Sequence, residues 1–214
     1  MTQQNRVTPT GEIVAVDARG LFMGNRGILH DTEKRLGRSR WKHKVWIVCL
    51  TDFRGRHREV MAPRRYTELF FLDEAVALAA GHRPCFECRR KDYTAWQEAW
   101  RRGNAAPALP RAPEMDAILH RERTEPGTRR QRRWQAQLGD LPDGAFVLWQ
   151  GRPCLFAAGK LWPWTHAGYE GGFAATRDAS VPVLTPPSAV GVLGGGYRPA
   201  LHPSAGLCIT VTKA

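Results

Sequence analysis

Several things are scarce in this sequence, and each scarcity excludes a class of protein. Its 214 residues hold no apolar run near the ~18 needed to cross a bilayer, so a membrane span is not expected. The opening Met1-Thr2-Gln3-Gln4-Asn5-Arg6 lacks the apolar core of a secretory signal, which makes a cytoplasmic protein the expectation. Cysteine is limited to five, an odd number, which argues against a disulfide framework and for metal or reactive thiols. Acidic residues number 20 against 32 basic ones, giving +12. Lysine itself is rare, with six against 26 arginines. With 43% hydrophobic and 24% charged residues the composition is that of a folded globular chain, long enough to bury a core.

The positive charge is uneven. Residues 1–133 carry 27 basic and 16 acidic residues, whereas residues 134–214 carry five and four. A codon bias toward arginine would spread over the whole chain, so the asymmetry points to a polyanion-binding surface. Arginine suits that role because its planar guanidinium grips phosphate with two parallel hydrogen bonds.

The spacing of apolar and breaker residues predicts an α+β fold. A β-rich N-terminal zinc-binding module with short helices spans residues 1–103, followed by an Ala/Pro-rich linker, short helix and arginine cluster over 104–133. A small β-rich unit covers 134–214, which holds 12 of the 21 glycines and 8 of the 15 prolines. Strands are expected over 12–17, 44–51 and 66–71, with a hairpin from 44–51 through Asp52-Phe-Arg-Gly55 into 57–61. Asp73 is placed to cap a helix over 74–80 that Gly81 ends. A second helix runs to about Arg102, and its Tyr93, Trp96 and Trp100 form a stripe that reads as core. Further strands are expected over 145–149 and 154–156, and Ser188 could cap a late helix.

The sharpest chemical feature is Cys85-Phe-Glu-Cys88. Two thiolates three residues apart at a helix start converge on one ion, and the helix N-terminus favours their charged form. A redox role is disfavoured because the element before Cys85 reads as a helix rather than a strand. Residues 66–90, from Tyr66-Thr-Glu-Leu-Phe-Phe71 through Ala77-x-x-x-Gly81-His-Arg-Pro-Cys85-x-x-Cys88, resemble the second half of the Ada-type metal-binding module. That family includes the zinc domain of a bacterial alkylation-damage response protein and small zinc modules of secreted nucleases. The whole sequence, Leu21-Phe-Met-Gly-Asn-Arg-Gly27 included, is also similar to a bacterial protein family without assigned function. The Ada resemblance implies Zn2+ held by Cys85 and Cys88, and raises DNA repair by methyl transfer to a thiolate. The upstream C-x-x-x-C or H-x-x-x-C pair of that module is missing here, which favours a mainly structural zinc. Two more ligands are then needed. His30, after a glycine-punctuated turn, is the first choice, Cys49 the second and His82 the third. Cys49 reads equally as a buried apolar thiol, and Cys154 and Cys208 read as core.

Three functions remain open. The first is a zinc-stabilised protein that binds DNA or RNA through Arg38, Arg40, Arg64, Arg65, Arg83, Arg89, Arg90, Arg129, Arg130, Arg132 and Arg133. The second is a metal-dependent hydrolase or nuclease drawing acid/base groups from His30, Asp31, His43, His57, His120, Glu122 and His202. A deaminase is disfavoured there, because no H-x-E pattern precedes Pro84-Cys85-x-x-Cys88. The third is a zinc-stabilised protein-interaction module.

Overall fold

The computed structural model describes residues 2–56 and 59–206, so His57 and Cys208 lie outside the described residues. Among these residues, twelve strands form two six-stranded sheets, accompanied by four α-helices. The fold is α+β and β-rich, as the apolar patterning predicts.

The first sheet contains β1 (Gln4–Val7), β2 (Ile13–Ala15), β3 (Phe22–Asn25), β4 (Ile47–Leu50), β5 (Leu69–Phe71) and β6 (Arg83–Pro84) in the order β2-β1-β5-β3-β4-β6. β3 pairs antiparallel with both β4 and β5, while β4 pairs parallel with β6. The expected hairpin out of β4 does not form among the described residues: Asp52 to Gly55 lead into a loop, and Val60 and Met61 lie in a turn. The neighbours of β4 come from elsewhere in the chain, which local turn chemistry cannot show.

Helix α1 (Glu74–Ala79) starts where Asp73 predicts, with the Val76 N–H donating to Asp73 Oδ1 at 2.9 Å. It ends at Gly81, whose φ of +84° suits a residue without Cβ. Every residue of α1 is buried. Helix α2 (Arg90–Gly103) turns Tyr93, Trp96 and Trp100 inward, so the aromatic stripe is core as expected. Helix α3 (Ala112–Arg123) follows.

The second sheet contains β7 (Trp134–Gln137), β8 (Ala145–Trp149), β9 (Arg152–Ala157), β10 (Lys160–Thr165), β11 (Gly168–Tyr169) and β12 (Ser180–Val183), ordered β11-β10-β9-β8-β12-β7. Two-residue turns link β8 to β9 and β9 to β10. Gln150 and Gly151, then Ala158 and Gly159, all have positive φ, which matches the right-handed twist of the strands they join. Helix α4 (Pro187–Gly194) has Pro186 at its cap. Ser188 sits inside it and is held by Glu122, so it is not the cap.

One hydrophobic cluster runs from Val7 and Phe71 through Ala75 and Val76 to Phe146 and Leu155, joining the two sheets across α1. No helix of the structure is long and apolar enough to cross a membrane, among the described residues.

Candidate metal centre

The parallel pairing of β4 and β6 builds the site. Ile47 lies opposite Arg83 and Val48 opposite Pro84, and the Cys85 N–H extends the ladder by donating to the Val48 carbonyl at 2.9 Å. That register sets Cys49 beside Cys85. The chain then turns, with the Arg89 N–H returning to the Cys85 carbonyl at 3.2 Å, and this turn brings Cys88 back before α2 begins. The three sulfurs lie within 4.8 Å of one another. In tetrahedral zinc coordination, bonds of about 2.3 Å place sulfurs about 3.8 Å apart. Three thiols already this close fit such an ion with little movement.

The surroundings favour a thiolate. Hydrogen bonds from Cys49 and Cys88, together with the backbone N–H groups of Cys88 and Glu87, hold Cys85 well below the ordinary thiol range against the burial that opposes them. The Glu87 N–H lies 3.4 Å from the Cys85 sulfur. Cys49 is pushed up, by its hydrogen bonds to Cys85 and Cys88 and then by burial. A bound cation would draw the thiols toward their charged form. Cys154 behaves differently. It is 1% exposed, and burial raises its thiol to about 11, as expected of a core cysteine.

The structure brings Cys49 to Cys85 and Cys88 but leaves His30 apart. His30 Nδ1 pairs with the Thr67 hydroxyl at 2.7 Å and Nε2 with the Ala62 carbonyl at 3.2 Å. His82 is fully buried against Phe71 and Trp46. Among the described residues, no fourth His, Cys, Asp or Glu joins the three cysteines within that 4.8 Å group.

The three thiols line a cavity of about 350 Å3, whose apolar wall includes Met23, Ile47, Phe53 and Phe70. Its polar lining includes Asn25, Tyr66 and Glu68. Glu68 is 4% exposed, and its Oε2 accepts a hydrogen bond from the Met61 N–H at 2.7 Å. Met61 is itself fully buried at φ +54°, a left-handed backbone that is costly for a side chain of this size.

A second cavity, of about 800 Å3, shares Asn25 and Tyr66 with the first. It is lined by His30, Asp31, Arg35, Lys42 and His43. The other proposed acid/base groups are dispersed. His120 stacks edge-on against Trp41 and Trp46, Glu122 is taken by Ser188, and His202 caps a short turn through Ser204.

The arginines divide into two groups. Arg83 is bidentate to Asp116 at 2.9 and 2.7 Å, and Arg89 is bidentate to Glu74 at 2.7 and 2.8 Å; all four residues are buried. Their guanidinium groups are already occupied by carboxylates, which removes both from the expected phosphate contacts. Arg38, Arg64, Arg65, Arg90, Arg129, Arg130, Arg132 and Arg133 are exposed, and Arg40 is half-buried. The 129–133 cluster is carried by a loop closed by a bridge between Thr124 and Gln131, not by a helix face.

Comparison with protein-family models, curated proteins and solved structures gives no match for this chain.

Proposed function

We propose that this chain is a zinc protein that binds nucleic acid, with the ion held by Cys49, Cys85 and Cys88. The observation that carries the metal half is the gathering within 4.8 Å of three thiols, one from β4, one just past the end of β6 and one from the turn that follows. Thiolate ligands suit zinc among the common divalent ions. The nucleic-acid half draws on the +12 charge and on Lys42 and His43 in the cleft that adjoins the thiol pocket, where Arg35 is paired with Asp31 and Glu33. Exposed Arg64, Arg65 and Arg90 add further positive charge. The Arg90 guanidinium lies 3.7 Å over the centre of the exposed Phe86 ring, a surface of the kind on which bases stack.

Protein purified without chelator is expected to hold about one zinc per chain by plasma mass spectrometry. Cys49→Ser and Cys85→Ser are expected to lose it, and Cys154→Ala to keep it. Folded wild-type protein without stoichiometric metal would refute the metal half.

For the second half, anisotropy with single-stranded DNA and RNA is expected to show binding that weakens steeply with salt. Neutralising Arg129, Arg130, Arg132 and Arg133 together is expected to lower the log–log salt slope by roughly 0.7–0.9 for each phosphate that these arginines neutralise in the wild type. Wild-type protein that binds neither strand at low salt sinks this half and leaves the zinc site standing.

A further inference from the structure

We infer that the small cleft between Trp46 and residues 129–131 is an anion site for a phosphate group that still carries a hydroxyl. The chemistry is the same for free phosphate and for the phosphate that ends a nucleic-acid strand. Only the second source rests on the nucleic-acid half of the proposed function, and neither rests on zinc.

Buried polar atoms in folded proteins nearly always have a partner, because an unmade hydrogen bond leaves the loss of hydration uncompensated. Among the described residues, six buried side-chain polar atoms have none. Three of the six, Arg26 Nη2, Arg123 Nε and Gln131 Oε1, belong to residues that line this one cleft. The rest of each side chain is fixed. Arg26 Nη1 donates to the Gly11 carbonyl at 3.0 Å, and Arg123 donates to the carbonyls of Gly81 and Lys44, both at 2.6 Å. Gln131 Nε2 donates to the carbonyls of Ala79 and Leu184, so the end of its amide left over is the acceptor.

Carbonyls satisfy hydrogen bonds but do not neutralise charge. Arg26 and Arg123 are 2% and 1% exposed. Their guanidinium carbons lie 4.2 and 3.8 Å from the same Trp46 ring centre, and so within 8 Å of each other. Among the described residues, no Asp or Glu lines the cleft. Asp116, which favours the charge on Arg123, is bidentate to Arg83. Positions 1, 57, 58 and 207–214, outside the described residues, hold no Asp or Glu in the sequence. Burial and then Arg40 bring Arg26 down to about 9, and burial and then Arg26 bring Arg123 well below its ordinary range. Two buried cations that repel each other are stabilised by an anion within reach of both. Arg129 and Arg130, exposed at the rim, add to the attraction.

Size and the leftover acceptor then narrow the ligand. The cleft holds only about 10 Å3, the space of one water-sized sphere. One oxygen of a tetrahedral anion fits there, and its other oxygens stay at the mouth with Arg129 and Arg130, whose guanidinium groups suit them. Gln131 Oε1 repels a bare anionic oxygen, so the oxygen it meets must carry a proton. Inorganic phosphate keeps a P–OH group at neutral pH, and a strand-end monoester keeps one below about pH 6. Sulfate and the internal diesters of a strand have none. The cleft therefore tells the end of a strand from its backbone.

The test titrates the full-length protein calorimetrically with sodium phosphate and with sodium sulfate, at about pH 6 and constant ionic strength. Phosphate is expected to bind saturably, about one per chain. Sulfate is expected to bind about tenfold more weakly, although it carries the larger charge at that pH. Arg129→Gln with Arg130→Gln is expected to weaken phosphate about tenfold, for want of charge-assisted hydrogen bonds. Lys91→Gln with Arg121→Gln removes the same charge from exposed positions outside the cleft and is expected to leave the affinity unchanged. Arg26→Met is expected to abolish binding; should it fail to fold, the rim pair decides. No saturable phosphate binding, or an equal loss in both paired variants, overturns the site. Sulfate that binds as tightly as phosphate overturns the need for a hydroxyl.

The source is read by competition between phosphate and a single strand of about ten nucleotides, with and without a terminal phosphate. Displacement by the phosphorylated strand alone assigns the cleft to a strand end. Displacement by neither assigns it to free phosphate and counts against the nucleic-acid half only. Equal displacement by both overturns the distinction between strand end and backbone. Protein that binds strands with steep salt dependence yet ignores phosphate overturns the cleft and leaves the nucleic-acid half standing.

Discussion

At the scale of single residues, buried charge is the costliest feature of this protein. Glu74 is 1% exposed and accepts from both Arg89 amino groups, from the Tyr197 hydroxyl at 2.6 Å and from the Ala200 N–H at 2.9 Å. Glu74→Gln would leave the Arg89 guanidinium charged and short of its partner, and is expected to cost about 3–5 kcal/mol in urea unfolding. The pair replaced together, Glu74→Gln with Arg89→Met, is expected to recover a large part of that loss, which a double-mutant cycle measures. Asp73 next to it is fully buried, and burial raises its carboxyl from 3.8 to about 6 despite the hydrogen bonds that favour the charge. The folded state therefore holds this proton more tightly than the unfolded chain does. Stability from Asp73 is fully present below pH 3.8 and is lost as the pH rises through about 6. Asp73→Asn is expected to flatten the stability–pH curve between those values. Two further cations, Arg26 and Arg123, lie 4.2 and 3.8 Å from the centre of the Trp46 ring, with no carboxylate ion-paired to either among the described residues. Burial, and then these arginines, hold His82 well below its ordinary range, so it is neutral at pH 7.

At the scale of elements, what was legible was local. Asp73 and Gly81 fix α1, and the aromatic stripe fixes the inner face of α2, because capping and periodicity act within one or two turns. Cys85 and Cys88 were legible for the same reason. Cys49 was left open between ligand and core thiol, since only the parallel register of β4 and β6 decides where it points, and that pairing spans more than thirty residues of intervening chain. Arg83 and Arg89 look like surface charge in the sequence, and only Asp116 and Glu74 in space make them interior. The packing of α2 on α4 was equally hidden. A Cβ on Gly103 would come within 1.7 Å of the Gly191 carbonyl oxygen, and one on Gly195 within 2.2 Å of the Ala99 oxygen. The two helices meet backbone to backbone. Gly103→Ala is expected to destabilise by about 1–3 kcal/mol in urea unfolding, from overpacking, without changing metal content.

At the scale of the whole molecule, α1 lies within the core cluster that links the sheets, and its first turn is tied to the far end of the chain. Asp73 Oδ2 accepts from the Tyr169 hydroxyl at 2.6 Å and from the His202 N–H at 3.0 Å, while Glu74 takes Tyr197 and Ala200. If the thiols hold the proposed ion, its removal is expected to raise hydrogen exchange first along β4, β6 and the start of α2, with β8 and β9 following only on global unfolding. The same ties set a timetable for biosynthesis. At about 5–20 residues per second, roughly 6–25 seconds separate the synthesis of Glu74 from that of Ala200. Throughout that interval two adjacent carboxylates occupy what will become the middle of the protein, and the groups that satisfy them do not yet exist. Nascent chains arrested before residue 197 are therefore expected to stay open to protease around α1, and to close only when the last segment is released. Any ion captured by the thiols before then is held by an unfinished scaffold.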